Sequence, residues 1–518
     1  MEFTLPEFTR SETVTLQLRS LFELAGYKLF RMGSFEAYDF YMQNRSFLSS
    51  DDIITFTGSD GRLMALKPDV TLSIVKNTKP AATRRVYYNE KVFRKSRDTG
   101  EYREINQMGL EYIGGVKDVS EAEVVSIAAK SLSLAGEYSL DLSHMGFIEA
   151  VLAPFSGVFY SDALVALRNK NPQLMRQTAA AANLSGELTD KLERLAMLSG
   201  PFDTAVELAN ELASDFEDAR QPLEELIKLR RTLSAETPEI NLRLDFSILN
   251  DVDYYNGIIF QGFIRGIAHP VLAGGRYDNL MVRFGKNQGA VGFAVYLDEL
   301  ERSESFDRKP EDSRLNIALP KGRMGESVYA VFEKAGLGCE GILEESRKLI
   351  FEDKEGKVRY FLVKPSDVSS YVEHGAADIG VTGKDLLLET GADVLELADM
   401  GVGKCRIVVA GKPDHEENST IPIRAATKYP NIARGYYAEK SSPVEIIMLH
   451  GSIELAPLTG LADVIVDIVE SGNTLKENNL IVHDEISLSS ARLIANRASW
   501  RFKQHEINAL LTSLKELL

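Results

Sequence analysis

A polar segment divides this chain into two regions with different residue patterns. Residues 301–314, ERSESFDRKPEDSR, contain one phenylalanine, one proline and almost only charged or polar side chains. This composition does not build a core and is typical of a linker. At ~150 residues per domain, a chain of 518 residues is also expected to hold about three domains, each with its own core. We therefore predict an N-terminal domain over residues 1–300, a linker over 301–314 and a C-terminal domain over 315–518.

Charge and composition exclude several classes of function. Lys and Arg total 59 against 76 Asp and Glu, and the resulting charge of −17 repels nucleic acid at long range. No run approaches the ~18 apolar residues that a membrane span needs, and MEFTLPEFTR has no signal-peptide pattern. The two cysteines form no CxxC and no Cys–His cluster. We expect a cytoplasmic protein without nucleic-acid, membrane or structural zinc binding.

The two regions differ in their secondary-structure signals. After residue 315, short apolar runs alternate with loops and amphipathic segments, which predicts an α/β domain with a largely parallel sheet. The first region mixes strand and helix signals and is predicted to be α+β. Within it, residues 161–237 are rich in Leu, Ala, Glu and Arg at helical spacing, which predicts a helical insertion.

The sharpest local motif in the second region is a strand followed by a tight loop. Residues 462–469 read as a buried strand, Glu470 to Asn473 as the loop, and Thr474 as the start of a helix. Such a junction presents backbone N–H groups to an anion, and Gly472 allows the ligand to approach closely. Asp467 and Glu470 add acceptors that suit sugar hydroxyls. The alternative is a surface helix capped by Ser471 or Asn473.

This motif resembles the signature of the ATP phosphoribosyltransferase family. The resemblance extends through NIALPKGR (316–323), ESRKLIF (345–351), the run from Leu362 to Asp385, GKCRIVVAG (403–411) and ATKYPNIA (426–433). It covers nearly all of residues 315–518 and is similar to the short form of the family. It implies two α/β lobes, like those of periplasmic binding proteins, and an enzyme of histidine biosynthesis.

The resemblance implies a pentosyltransferase reaction and a set of site residues. Adenine N1 of ATP attacks the anomeric carbon of phosphoribosyl pyrophosphate, and pyrophosphate leaves with Mg²⁺ bound through the substrate rather than directly by the protein. The implied catalytic residues are Arg347, Lys364 and Asp467. The implied phosphoribosyl pyrophosphate site is Asp467, Glu470, Ser471, Gly472, Asn473 and Thr474. The implied ATP and pyrophosphate site is Lys321, Gly322, Arg323, Arg347 and Lys364. For each of these cations taken singly, the alternative is a solvated surface charge. For Asp367 and Asp385, the alternative is that each is the N-cap of a helix.

The first region resembles the class II aminoacyl-tRNA synthetases, specifically the histidyl enzyme. The matching runs are the strand–loop–strand of residues 85–114, LKPDVT (66–71), VDYYNGIIF (252–260), AGGRYDNL (273–280) and AVGFAVYLDEL (290–300). The family pattern is broken at three places that serve ATP, where Ser96, Asn250 and Glu299 stand. The anticodon-binding domain is also missing after residue 300. Adenylation is therefore not expected, because an anion replaces a cation beside a triphosphate.

The polar residues that surround the amino acid in the histidyl family persist. They are Asp69, Thr71, Gln107, Glu111, Tyr254 and Tyr255. Acids hold a cationic ligand and tyrosines frame a ring; the alternative is that these residues only serve core hydrogen bonds. The regulatory subunit of the short-form transferase resembles such a truncated synthetase. The resemblance thus implies a fused regulatory domain that mediates activation and feedback inhibition by histidine, in a homo-oligomer, expected to be a tetramer.

Two other functions remain as alternatives. One is an active histidyl-tRNA synthetase with an appended domain, which the three departures argue against. The other is a solute-binding module, because two α/β lobes around a cleft also describe periplasmic binding proteins.

Overall fold

The computed structural model describes residues 8–44, 47, 53–79, 82–95, 101–115, 118–237, 239–249, 254–304, 314–344, 347–415 and 421–517. The chain divides into two compact units, Met1–Asp312 and Ser313–Leu518. Helix Leu297–Glu304 extends into the segment predicted as a linker, and residues 305–313 of that segment lie outside the described residues. None of the helices described is both long enough and apolar enough to span a membrane.

The first unit combines helices with mainly antiparallel strands. Its described strands are β1 Lys28–Leu29, β2 Phe35–Ala37, β3 Thr55–Thr57, β4 Leu63–Leu66, β5 Arg84–Lys95, β6 Tyr102–Gly114, β7 Tyr138–His144, β8 Ser199–Pro201, β9 Leu242–Asp245, β10 Ile258–Ile264, β11 Leu272–Arg276 and β12 Gly289–Tyr296. Its described helices are α1 Arg10–Leu24, α2 Tyr38–Met42, α3 Thr71–Lys76, α4 Asp118–Ala135, α5 Met145–Leu152, α6 Val158–Arg168, α7 Pro172–Ala181, α8 Gly186–Met197, α9 Phe202–Leu212, α10 Arg220–Glu236, α11 Asp278–Arg283 and α12 Leu297–Glu304.

One large sheet forms the centre of this unit. Its strand order is β1-β5-β6-β12-β11-β10-β7-β9-β8, with β1–β5 and β7–β9 parallel and the other pairs antiparallel. Strands β2, β4 and β3 form a separate small sheet. Helices α7 to α10 lie in the segment where a helical insertion is predicted, and α6 begins three residues before it. Strand β8, from the same segment, adds an edge strand to the large sheet.

The two faces of the large sheet belong to two different cores. Because side chains alternate along a strand, Met108 and Leu110 of β6 point to one face and Gln107 and Glu111 to the other. The first face packs against α1 and α4 in the main core. The second face joins α3 and α11 in a smaller, tyrosine-rich core. A polar pair such as Gln107 and Glu111 on an inward face needs partners, which identifies this face as the place to look for a site.

The second unit is built from shorter elements. Its described strands are β13 Leu315–Pro320, β14 Ile350–Glu352, β15 Val358–Val363, β16 Ile379–Gly383, β17 Leu395–Asp399, β18 Cys405–Gly411, β19 Ile423–Thr427, β20 Val444–Met448, β21 Val464–Val469, β22 Ile481–Ser489 and β23 Ala491–Ala495. Its described helices are α13 Arg323–Phe332, α14 Val368–Glu373, α15 Lys384–Thr390, α16 Pro430–Glu439, α17 Leu455–Thr459, α18 Asn473–Glu477, α19 Arg497–Phe502 and α20 Gln504–Leu517.

These strands form two sheets, which we call the first and second lobes. The first lobe has the order β14-β15-β13-β16-β23-β17, and the second has β20-β19-β21-β18-β22. In the first lobe, β13 is parallel to β15 and β16, and β23 is antiparallel to β16. In the second lobe, β19 is parallel to β20 and β21, and β18 is antiparallel to β21 and β22. The chain changes lobe after β17 and returns after β22. The mixed α/β and α+β architecture predicted for the whole chain is confirmed. The largely parallel sheet predicted after residue 315 is wrong, because the described strands form two mixed sheets in which β14, β17, β18, β22 and β23 pair antiparallel with their neighbours. The likeness to periplasmic binding proteins stays a prediction.

Candidate functional site

The loop after β21 has the backbone that the sequence motif predicts. Strand β21 ends at Val469, and helix α18 begins at Asn473, one residue before the predicted start. Gly472 between them adopts φ +76° and ψ 4°, a left-handed conformation that costs side-chain-bearing residues free energy. Ser471, Asn473 and Thr474 are all exposed. The loop therefore offers hydroxyls and helix-start N–H groups to solvent at the end of a buried strand.

The N-cap residues predicted by the capping alternative are wrong, although Ser471 Oγ accepts from the Asn473 N–H at 3.5 Å. The N-cap of α18 is Gly472, and this helix start shows no side-chain capping hydrogen bond. Asp385 is not an N-cap either: Gly383 is the N-cap of α15, and the Asp385 carboxylate accepts from Ser489 Oγ at 2.9 Å and from Tyr429 OH at 2.7 Å. Asp367 occupies the N-cap position of α14, but its side chain makes no capping hydrogen bond.

Acceptor and donor groups come together around Asp467, in the strand before the loop. The Asp467 side chain is 15% exposed, and its Oδ1 lies 3.4 Å from Lys428 Nζ. Burial raises the pKa of Asp467, the Lys428 ammonium opposes this, and the charge of Glu454 adds to it. Across from it, the Arg323 guanidinium of the first lobe lies 3.5 Å from the Glu470 carboxylate of the second. The predicted loop thus contacts one of the predicted cations.

The other predicted cations gather at one edge of the first-lobe sheet. Lys321 follows β13 and Lys364 follows β15, and these strands are parallel neighbours whose last residues, Pro320 and Val363, are paired. Carboxyl ends of neighbouring parallel strands meet at one edge, so both lysines lie there. Arg347 precedes β14, which runs antiparallel to β15 with Ile350 opposite Phe361. This register brings Arg347 toward the same edge.

The backbone shapes this edge. Gly322, between Lys321 and helix α13, has φ +92°, and Lys321 N–H donates to the Val363 carbonyl at 2.8 Å. The side chains of Lys321, Arg323, Arg347 and Lys364 are exposed. An edge with several exposed cations next to a helix start is chemically suited to a polyphosphate.

In the first unit, a buried carboxyl group is the centre of the candidate pocket. Glu111 of β6 is 2% exposed; its Oε1 accepts from Thr71 Oγ1 at 2.8 Å and its Oε2 from Tyr277 OH at 2.5 Å. Burial raises the pKa of Glu111 to about 8, although both hydrogen bonds oppose this shift. Asp69, also buried, accepts from Leu72 N–H at 2.9 Å, and burial raises its pKa as well.

Tyrosines enclose these two acids. The rings of Tyr254 and Tyr255 lie 4.7 Å apart, and that of Tyr254 lies 6.1 Å from Tyr277. Burial, and then the charges of Asp69 and Glu111 among others, raises the pKa of Tyr254 and of Tyr255 far above the ordinary value. All three phenols therefore stay neutral and serve as hydrogen-bond donors or acceptors at physiological pH.

Glycines in the sheet leave room for side chains packed over its face beneath these acids. A Cβ on Gly292, opposite Glu111 in the register of β6 and β12, would lie 1.8 Å from Glu111 Oε2. A Cβ on Gly109 would lie 2.3 Å from the Tyr88 ring. Gln107, two residues before Gly109 in β6, is 5% exposed and lies opposite Tyr296. The six residues predicted as a histidine site therefore lie on or over one sheet face, with Gln107 at its end.

The residues that break the synthetase pattern are described only in part. Ser96 and Asn250 lie outside the described residues. Glu299 is in the first turn of α12 and accepts from Arg302 at 2.7 Å. Arg94 is turned toward Asp69: its Nε donates to the Pro68 carbonyl at 2.8 Å, and its guanidinium lies 3.8 Å from the Asp69 carboxylate.

Several residues of both sites were not singled out from the sequence. In the first unit they are Tyr88, Tyr277 and Tyr296; in the second they are Lys428, Tyr429 and Glu454. Tyr277 and Lys428 lie within runs that carry the family resemblances, AGGRYDNL and ATKYPNIA. A tyrosine between the glycines and the acid of the first run, and a lysine directly after a buried strand in the second, are the signals that point to them.

Comparison with known proteins identifies both regions. The histidyl-tRNA synthetase family model matches residues 1–300, and the ATP phosphoribosyltransferase family model matches residues 364–516. The ATP phosphoribosyltransferase of Brachyspira hyodysenteriae is 52% identical over 205 residues, which are 39% of this chain and all of that protein. That of Clostridioides difficile is 52% identical over 204 residues, which are 39% of this chain and 98% of that protein.

A solved structure is similar in fold over much of this chain. The crystal structure of an ATP phosphoribosyltransferase regulatory subunit/histidyl-tRNA synthetase from Bacillus halodurans C covers 70% of this chain and 91% of that chain, at a TM-score of 0.52 and 23% identity. At this identity the likeness concerns the fold alone. The chain therefore belongs to the ATP phosphoribosyltransferase family, the pentosyltransferases of histidine biosynthesis, and carries a region of the histidyl-tRNA synthetase family fused in front of the transferase.

Proposed function

We propose that the loop of residues 470–474, together with Asp467, is the phosphoribosyl pyrophosphate site of this ATP phosphoribosyltransferase. The observation that carries the proposal is the left-handed Gly472 between a buried strand and a helix start, beside a largely buried carboxylate. The 5-phosphate accepts hydrogen bonds from the amides of the loop and from the hydroxyls of Ser471 and Thr474. Asp467 accepts from the ribose hydroxyls.

In this site, adenine N1 of ATP forms a bond to the anomeric carbon as the bond from that carbon to pyrophosphate breaks. The protein aligns the two reactants and compensates charge, without forming a covalent intermediate. Lys321, Arg323, Arg347 and Lys364 line up along the sheet edge where the triphosphate and the leaving pyrophosphate lie. Arg347 and Lys364 stabilise the negative charge that develops on pyrophosphate.

Magnesium enters this proposal with the substrate. Among the described residues no group of three or more His, Cys, Asp or Glu side chains is arranged to hold a metal ion. Mg²⁺ prefers phosphate and water oxygens as ligands, and the proposal has pyrophosphate carry the ion into the site. When bound, Mg²⁺ would neutralise charge on the leaving group, and Asp467 and Glu470 would accept hydrogen bonds from its water shell.

The pocket of the first unit binds histidine as the regulatory effector. Asp69 and Glu111 compensate the ammonium and imidazolium charges, Thr71 and Gln107 donate or accept hydrogen bonds, and Tyr254 and Tyr255 frame the ring. The neutral tyrosines and the glycine-lined floor support a pocket for a small aromatic ligand. Through this pocket the fused region mediates activation and histidine feedback inhibition.

The proposal also covers the organisation of the chain. Residues 1–300 form the regulatory domain, with a helical insertion over about 161–237, and residues 301–314 link it to the catalytic domain, 315–518. The protein is a cytoplasmic homotetramer. A closed tetramer suits symmetric subunits that each carry both functions, and the mass of the particle in solution tests it.

The substitution Asp467→Asn tests the catalytic part. The amide keeps the shape of the side chain but lacks the negative charge, so weaker binding of the ribose hydroxyls is expected. Steady-state formation of phosphoribosyl-ATP should show a rise in KM for phosphoribosyl pyrophosphate of about tenfold or more. An unchanged KM for this substrate would remove Asp467 from the site.

A further inference from the structure

Hydrogen bonds fix the residues directly before and after Lys428 in the chain. Before it, Thr427 is fully buried; its hydroxyl donates to the Val466 carbonyl at 2.6 Å and accepts from Tyr429 N–H at 2.8 Å. After it, the buried Tyr429 donates its hydroxyl to Asp385 of the first lobe at 2.7 Å. The backbone position of Lys428 is therefore set by β21 on one side and by the first lobe on the other.

The Lys428 side chain is directed at Asp467. Its Nζ lies 3.4 Å from Asp467 Oδ1 and 5.1 Å from the centroid of the Tyr429 ring, which gives the ammonium a second favourable contact. The Lys428 side chain is 37% exposed and that of Asp467 15%. An ammonium has three N–H donors, so Lys428 reaches the carboxylate and still has donor capacity toward solvent.

The surroundings of Asp467 act on its pKa in opposite directions. Burial raises its pKa, and the Glu454 carboxylate raises it further. Lys428 is the cation that lowers it, helped by the N–H of Ile468, which donates to Asp467 Oδ1 at 2.8 Å. An ionised carboxylate has two strong acceptor oxygens and no donor, which suits a pair of neighbouring ribose hydroxyls.

We infer that Lys428 is a positioning residue of the transfer reaction: its ammonium, 3.4 Å from Asp467 Oδ1, holds the Asp467 carboxylate in place for the hydroxyls of the pentose. This inference rests on the proposed role of Asp467 and adds a residue to it. Lys428 acts on the pentose half of the reaction, whereas the cations at the first-lobe edge act on the phosphates.

The test compares the full-length parent with Lys428→Gln and Lys428→Arg in steady-state kinetics. Lys428→Gln should raise KM for phosphoribosyl pyrophosphate about tenfold and leave KM for ATP within twofold. Because loss of the cation raises the pKa of Asp467, the acid limb of kcat/KM for phosphoribosyl pyrophosphate should move to higher pH. Lys428→Arg keeps the charge and should restore both values in large part.

A matched control is Lys440→Gln, which removes another lysine of the same lobe, paired with Asp484. It should leave both KM values and the acid limb in place, and the melting temperature of each variant is measured alongside. An unmoved acid limb in Lys428→Gln, or no recovery with Lys428→Arg, overturns the inference. If Asp467→Asn also leaves KM unchanged, the proposed site itself fails; if Asp467→Asn alone raises it, only the role of Lys428 fails.

Discussion

At the scale of single residues, the first unit keeps a carboxyl group where folding alone would favour a neutral side chain. Glu111 is buried, and the contacts described above give it two hydroxyl donors, Thr71 and Tyr277. Burying a carboxyl group with hydroxyl partners costs free energy whenever the group is ionised. A pocket that binds a cationic ligand gains from such a group, because the ligand supplies the missing opposite charge.

The pH dependence of stability should report this cost. Glu111 has a pKa of about 8 in the folded chain and an ordinary value of 4.5 when unfolded, so the folded state holds its proton over a pH range in which the unfolded state has lost it. The free energy of unfolding should therefore fall, by a few kcal/mol at most, as pH rises from about 4.5 to 8. Glu111→Gln should lack this fall. Melting temperatures of both proteins over this range check it, and parallel curves would refute it.

The grouping of Asp69, Thr71 and Glu111 was predicted from their places in synthetase-like runs, and the hydrogen bond from Thr71 to Glu111 agrees with that grouping. Tyr277 was missed. It lies 166 positions from Glu111 in the chain, and no local pattern encodes a contact across β11, β12 and β6. The ligand roles of these residues remain predictions.

At the scale of elements, the loop of residues 470–474 shows how strand, glycine and helix combine. The boundary of β21 was predictable from its apolar run, and the start of α18 to within one residue. The sequence analysis explained the glycine by close ligand approach. The structure adds a second reason, because the positive φ of residue 472 favours a residue without a side chain; the nearest atom to an added Cβ, in Val469, lies 3.7 Å away.

Gly472→Ala should therefore weaken phosphoribosyl pyrophosphate binding through the backbone. Alanine at φ +76° costs about 1–2 kcal/mol, and relaxing that strain reorients the loop amides. A several-fold to tenfold higher KM for phosphoribosyl pyrophosphate is expected in initial-rate measurements. The matched control is Gly391→Ala, at φ +63° after α15, where nothing lies within 4 Å of an added Cβ. Equal KM changes in the two variants would show that strain alone, and not this loop, is responsible.

Contacts between the lobes of the second unit add a constraint that no local pattern predicted. Glu389 of α15 accepts from the N–H groups of Asn431 and Ile432 at 3.0 Å each, at the start of α16 in the other lobe. Together with the hydrogen bond from Tyr429 to Asp385, this fixes the segment that carries Lys428. Acidic groups at a helix start are favourable by themselves, and here they also join two lobes.

At the scale of the whole molecule, the chain combines two families that each account for one unit. The fold classes were predictable because periodicity and family motifs are local properties. The order of strands in the large sheet was not, since β1 pairs with β5 and β9 inserts between β7 and β8 through contacts distant in sequence. A single polypeptide ensures that every catalytic unit is accompanied by one regulatory unit.

Separate sites for catalysis and feedback within one chain are the central claim. The most direct measurement is the rate of phosphoribosyl-ATP formation by the purified full-length chain with ATP, phosphoribosyl pyrophosphate and Mg²⁺, titrated with histidine. Each rate is taken relative to the same protein without histidine, for the parent, for Glu111→Ala and for the control Glu104→Ala at the exposed end of β6. We expect histidine to inhibit the parent and the control. Glu111→Ala should need at least tenfold more histidine for the same degree of inhibition. Equal inhibition of all three proteins, or none in the parent, would contradict the claim.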